Sequence, residues 1–109
     1  MDLIAVKKEM KKILQETISL INYIVAEIQA KNFQKALTDY VGVIGVIEEL
    51  INLKINLSTL EKVEETEIET LRSVLKEVVN ALENADFVLF GDLLEYELIP
   101  ILEKWAEVN

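Results

Sequence analysis

The side chains of this chain best placed to do chemistry are carboxylates: Glu48 beside Glu49, Glu65 four residues before Glu69, and Asp92 three residues before Glu95. Residues three or four apart share a helix face. Grouped oxygens of this kind suit a hard cation such as Mg²⁺, which takes one or two carboxylates and completes its shell with water and phosphate. The chain has no His and no Cys. That excludes an imidazole base, a Ser-His or Cys-His nucleophile, and the Glu-x-x-His ligands of di-iron bundles. Gly42, Gly45 and Gly91 are the only glycines, and no Gly-Lys-Ser or Gly-Lys-Thr forms a phosphate loop. Against the metal reading stands the plainer one, a solvated acidic face. We expect that face, with no metal, no cofactor and no catalytic residue.

Two resemblances bear on these residues. Glu48 and Glu49, with Asp92 and Glu95 later in the chain, resemble the Glu-Glu-x-x-Glu and Glu-x-x-Asp pairs of the all-α nucleotide pyrophosphohydrolases. That implies, as the alternative function, a Mg²⁺-dependent phosphohydrolase built in a helical bundle. The chain departs from the pattern at Asn52, where the third acid belongs, and in the reversed order of Asp92 and Glu95. The words ALENAD (81–86), DLLEYE (92–97) and PILEKW (100–105) resemble the C-terminal signature of small acidic helical-bundle proteins of Gram-positive anaerobes. That resemblance implies a bacterial helical bundle and no particular activity.

The same segment interleaves aromatic, acidic and apolar residues with Gly91 and the sole proline. Aromatics on a rigid frame are what interface hot spots use, so Asp92, Glu95, Tyr96, Glu97 and Trp105 form the candidate interaction surface. The bland alternative makes Phe87, Phe90, Leu94 and Trp105 core, with Glu95 and Glu97 solvated.

Charge points to the same half. Residues 1–57 carry seven Lys and seven acids, whereas residues 58–109 carry four basic residues and thirteen acids, so the whole net charge of −9 belongs to the second half. Such a surface repels phosphate backbones, which excludes nucleic acid as a partner. Lys7, Lys8, Lys11 and Lys12 read as the solvated face of an amphipathic helix. A basic or amphipathic protein partner is expected, and a homodimer is allowed.

The elements that must position these residues follow from apolar spacing. Met10, Leu14, Thr17, Ile21, Ile24 and Ile28 recur every three or four residues, as do Phe33, Leu37, Tyr40 or Val41, Ile44, Ile47 and Ile51. The spacing predicts helices over 3–30, 33–57, 59–83 and 86–107. They are separated by a polar pair at Lys31 and Asn32, a Ser58 to Glu61 capping box, and an N-cap at Asn84 or Asp86. The octet YVGVIGVI (40–47) is β-prone when read alone. Helical spacing on both sides makes it helix, with Gly42 and Gly45 expected on a face that a neighbouring helix approaches closely.

Leu60, Val63, Ile68, Leu71, Val74, Leu75, Val78 and Leu82 give the third stripe, and Phe87, Phe90, Leu94, Leu98, Ile101 and Trp105 the fourth. Pro100 cannot donate to the carbonyl of Tyr96, so a kink is expected over 96–100. At 109 residues one domain suffices. Short connections imply an all-α, antiparallel up-down-up-down four-helix bundle spanning 1–109. No apolar run reaches a membrane span or a secretory leader, which points to the cytoplasm. The function expected is a non-catalytic protein–protein interaction module, such as an adaptor, a chaperone-like holder or a regulatory subunit.

Overall fold

A computed structural model describes residues 2–58 and 65–107, and these are helical almost throughout: α1 (Leu3–Gln29), α2 (Phe33–Ser58), α3 (Glu65–Glu83), α4 (Phe87–Leu93), a π-helical turn (Leu94–Leu98) and α5 (Ile99–Glu107). The last three run on as one fourth rod. No strand occurs among the described residues, so the 40–47 octet is helical as its flanks required. The capping box at Ser58 and Glu61, with Leu60 and Val63 of the third stripe, lies outside the described residues or side chains.

Two helix ends close in the same way. The Lys31 N–H donates to the Ile28 carbonyl (2.9 Å) and the Asn32 N–H to the Glu27 carbonyl (2.9 Å); the Ala85 N–H donates to Leu82 (3.0 Å) and the Asp86 N–H to Ala81 (2.8 Å). This paired bonding satisfies carbonyls left over at a helix C-terminus and requires a left-handed residue. Lys31 (φ 64°) and Ala85 (φ 52°) supply it without glycine. Asp86 then caps α4, its carboxylate accepting from the Leu89 N–H at 3.0 Å. Asn84 turns back instead, donating through Nδ2 to the Asn80 carbonyl. The first residues after the two turns, Phe33 and Phe87, stack with ring centres 4.4 Å apart and planes 10° apart. The two turns therefore meet.

Packing follows the apolar stripes. α1 lies against α2 and α5 and touches α4 and the π turn, while α3 packs on α4 and the π turn. The α1 stripe of Met10, Leu14, Thr17, Ile21, Ile24 and Ile28 is buried throughout; Thr17 is satisfied there by donating to the Ile13 carbonyl at 2.7 Å. On α2 the buried stripe is Ala36, Tyr40, Val43, Ile47, Leu50, Ile51 and Leu57; Tyr40, Ile47 and Ile51 are buried as the spacing required, whereas Leu37 and Ile44 are only half-buried and Val41 is 72% exposed. Both sets are apolar, so hydropathy alone could not choose between them. The expectation for Gly42 and Gly45 also fails: a Cβ built on either meets nothing within 4 Å. The glycine at a close approach is Gly91, where a Cβ would lie 3.3 Å from Cγ2 of Ile28.

In the fourth rod Phe90, Leu94, Leu98 and Leu102 are all fully buried although they recur every four residues. In a regular α-helix that repeat drifts by about 40° at each step. The π turn absorbs the extra residue and keeps the four on one side. Its ring closes with the Ile99 N–H donating to the Leu94 carbonyl, five residues back. Pro100 follows at once, and a turn already widened there lessens the demand on the Tyr96 carbonyl that Pro100 cannot meet.

Candidate functional site

The candidate surface residues lie on the fourth rod, where the burial of Phe90, Leu94 and Leu98 forces the opposite side outward. Asp92 and Glu97 are exposed, Glu95 is half-buried, and Tyr96 is 68% exposed. Val88, four residues before Asp92, is 76% exposed and extends the apolar part of the same side. An aromatic ring held in a helical turn, flanked by carboxylates, can offer stacking area and hydrogen-bond acceptors to a cationic or amphipathic surface.

Trp105 is a correction. It was expected on this surface, but at 3% exposure it is core. Its ring lies 5.1 Å from the Lys54 ammonium, which also pairs with Glu67 at 3.3 Å. Lys54 is itself buried, in the α2 stripe beside Leu50, Ile51 and Leu57. The stem of a lysine can lie along apolar surface while its head finds a partner, which is how a charged residue occupies a stripe position. The bland reading is thus right for Phe90, Leu94 and Trp105, and it leaves Asp92, Glu95, Tyr96 and Glu97 as the accessible set.

Of the carboxylates of the metal reading, the Glu65 side chain lies outside the described ones. Glu48 and Glu49 stand exposed on α2, and among the described residues no three acidic side chains are placed to hold a metal ion. Asp92 and Glu95 contribute to the acidic face and to no concave site among the described pockets.

A second polar constellation was not anticipated. At the start of α2, the Lys35 ammonium bridges Oε2 of Glu27 (2.9 Å) and Oδ2 of Asp39 (3.1 Å) and sits 4.9 Å from the centre of the Tyr23 ring. The Glu27 side chain is only 6% exposed. Hydrogen bonds to Glu27 and then Asp39 hold the Lys35 pKa well above the usual ammonium value. Asp39 is held below the usual carboxylate range, first by hydrogen bonding with the Glu27 carboxyl and then by Lys35. Among the described residues Oε1 of Glu27 has no hydrogen-bond partner. The Lys35–Asp39 pair was legible as an i,i+4 spacing. Glu27 stands at stripe spacing from Ile24, but its charge and the polar break beside it at Lys31 and Asn32 make it read as solvent-facing.

These features define a four-helix, all-α fold with acidic and aromatic side chains on its exterior. The model of a family described as a domain of unknown function, DUF8042, matches residues 5–108, and the chain belongs to that family. No curated protein and no solved structure matches the chain. Among the described residues no helix is long and apolar enough to cross a membrane.

Proposed function

We propose that this chain is a non-catalytic protein–protein interaction module, an adaptor, chaperone-like or regulatory subunit, whose docking surface is the acidic, aromatic face of the third and fourth helices. The observation that carries the reading is Tyr96, 68% exposed between the exposed carboxylates of Asp92 and Glu97, in the half of the chain that holds the entire net charge of −9. A large exposed aromatic has little to offer a monomer's own stability and much to offer an interface. The partner is a basic or amphipathic protein, drawn by opposite potential. We place the module in the cytoplasm, without cofactor. Its frame is an antiparallel up-down-up-down bundle whose last helix bends at Pro100; the meeting of the two turns at Phe33 and Phe87 and the π turn before Pro100 support that frame.

Immobilised protein exposed to native lysate tests the reading. The expected result is capture of a defined partner that weakens with salt and falls in Glu95→Ala and Tyr96→Ala, while Tm changes by no more than a few degrees. Capture mapped wholly to the charge-neutral first half contradicts it. So does Mg²⁺-dependent hydrolysis of nucleoside triphosphates that disappears in Asp92→Asn.

A further inference from the structure

On the outer side of the first hairpin, α1 and α2 leave an open groove of about 530 Å³, within the range of about 300–1,000 Å³ typical of small-ligand sites. Leu20, Tyr23 and Val43 give it apolar walls, and Lys35 and Asp39 stand at its polar part. Gly42 also lines it, and since a Cβ there would meet nothing within 4 Å, the missing side chain is what keeps the space open. Glu27, one helical turn after Tyr23, does not itself line the groove; it lies behind Lys35 and becomes reachable from the groove when Lys35 leaves it. Its side chain is 94% buried, one oxygen is ion-paired to Lys35, and the other has no hydrogen-bond partner among the described residues.

We propose that this groove receives an arginine side chain of a partner protein, with the guanidinium stacked on Tyr23 and hydrogen-bonded to Glu27 and Asp39, and that Lys35 occupies the cation's place in the free protein. Two carboxylates and one lysine leave the cluster with a net negative charge, so a second cation is welcome. An unpaired buried carboxylate oxygen is costly and is relieved by any donor that reaches it. A guanidinium is the donor that fits. Its planar fork can serve two carboxylates at once while its face lies on an aromatic ring, which a compact ammonium cannot do. Lys35 already shows the site's preference for a cation over the Tyr23 ring. Its own side chain is more than half exposed, so it can swing out into water. The site lies on the first hairpin and is independent of the acidic face of α3, α4 and α5; either can fail while the other stands.

The test is an NMR titration of the full chain with the blocked tripeptide Ac-Ala-Arg-Ala-NH₂, and with its lysine counterpart. The expected result is a saturable shift of the Tyr23, Asp39 and Gly42 amides by the arginine peptide, with the lysine peptide at least several-fold weaker. Lys35→Met should tighten binding several-fold by vacating the site. Glu27→Gln should weaken it about tenfold or more. If Glu27→Gln fails to fold, Gly42→Leu supplies the readout: a Cβ there meets nothing within 4 Å, the longer side chain takes up groove space, and the shifts should be abolished in a folded protein. Four results overturn the proposal: equal binding of the two peptides, binding indifferent to Gly42→Leu, unsaturable shifts spread over the acidic face of the fourth rod, or a self-association of the chain that protects the groove from both peptides.

Discussion

The Lys54 ammonium lies 5.1 Å from the centre of the Trp105 ring and 3.3 Å from a Glu67 carboxylate oxygen, so one buried lysine ties α2 to α3 and α5. The two ends of this ion pair are unequal: Lys54 is buried, whereas the Glu67 side chain keeps about a quarter of its surface in water. Removing the carboxylate strands a buried charge, which is the expensive way to break such a pair. Removing the ammonium leaves an acid that water can solvate. Glu67→Gln is therefore expected to destabilise by about 1–3 kcal/mol, and Lys54→Met, which keeps the stem's packing on Trp105, by less than about 1 kcal/mol. Urea denaturation of the two variants measures the difference, and equal losses would contradict it.

The glycines divide by their surroundings. Gly45→Ala is expected to stabilise by about 1 kcal/mol, because it gains helix propensity where a Cβ meets nothing. Gly91→Val is expected to cost about 1–3 kcal/mol, since its side chain must displace Ile28, already 3.3 Å from a Cβ at that position. Thermal and chemical denaturation should rank Gly45→Ala above the natural chain and Gly91→Val below it.

Tyr40 offers a gain of a different kind. Its ring packs edge-on against Phe90, with centres 5.1 Å apart, but its buried hydroxyl has no hydrogen-bond partner among the described residues. Tyr40→Phe keeps the ring contact and removes the unsatisfied group, so it should raise stability by about 1 kcal/mol. Burial raises the tyrosine pKa in the folded state. The stability tied to the protonated phenol is therefore complete below the ordinary value near 10 and is lost as pH rises beyond it. Tyr40→Phe should retain more of its stability in alkali than the natural chain does.

At acid pH the same linkage runs the other way through Asp39. Its folded pKa is lowered, by Glu27 first and Lys35 second. Its contribution is present above the ordinary aspartate value near 4 and is lost as pH falls through the lowered folded value. Lys35, raised by Glu27 and Asp39, contributes fully below the ordinary lysine value near 10.4 and loses that contribution as pH rises above it. Asp39→Asn should flatten the decline in Tm on acidification below about pH 4. An unchanged acid limb would show that the contact is not felt in the folding equilibrium.

The stripes of α1 and of the fourth rod were legible in the sequence because their apolar positions alternate with charged ones, as at Met10, Lys11, Lys12 and Leu14. The phase of α2 was legible only in part, at Ile47 and Ile51. In YVGVIGVI every position is apolar or glycine, so Tyr40 and Val43 were no more marked for burial than Val41 and Ile44, and the glycines carried no sign of which way they faced. The π turn was signalled only indirectly, by Pro100 and by a fourfold repeat of large side chains from Phe90 to Leu102. Buried charges were the least legible. Glu27 and Lys54 look like solvent-facing residues until their partners, Lys35, Glu67 and Trp105, are brought beside them by tertiary packing. Trp105 carried two conflicting signals: its spacing from Leu98 and Ile101 marked it for the buried stripe, and its place at the end of the acidic segment put it on the candidate surface; the stripe signal was the right one.

Partner capture compared between two double variants that remove the same charge from different faces tests the central claim most directly. Asp92→Ala with Glu97→Ala strips the acidic face around Tyr96, and Glu48→Ala with Glu49→Ala removes an equal charge from exposed positions on α2. The first pair is expected to reduce capture at least tenfold and the second to leave it within twofold, a gap of about 1 kcal/mol or more in binding free energy. Equal losses from both pairs would contradict it, because net charge alone would then explain the attraction and the face around Tyr96 would be no docking surface.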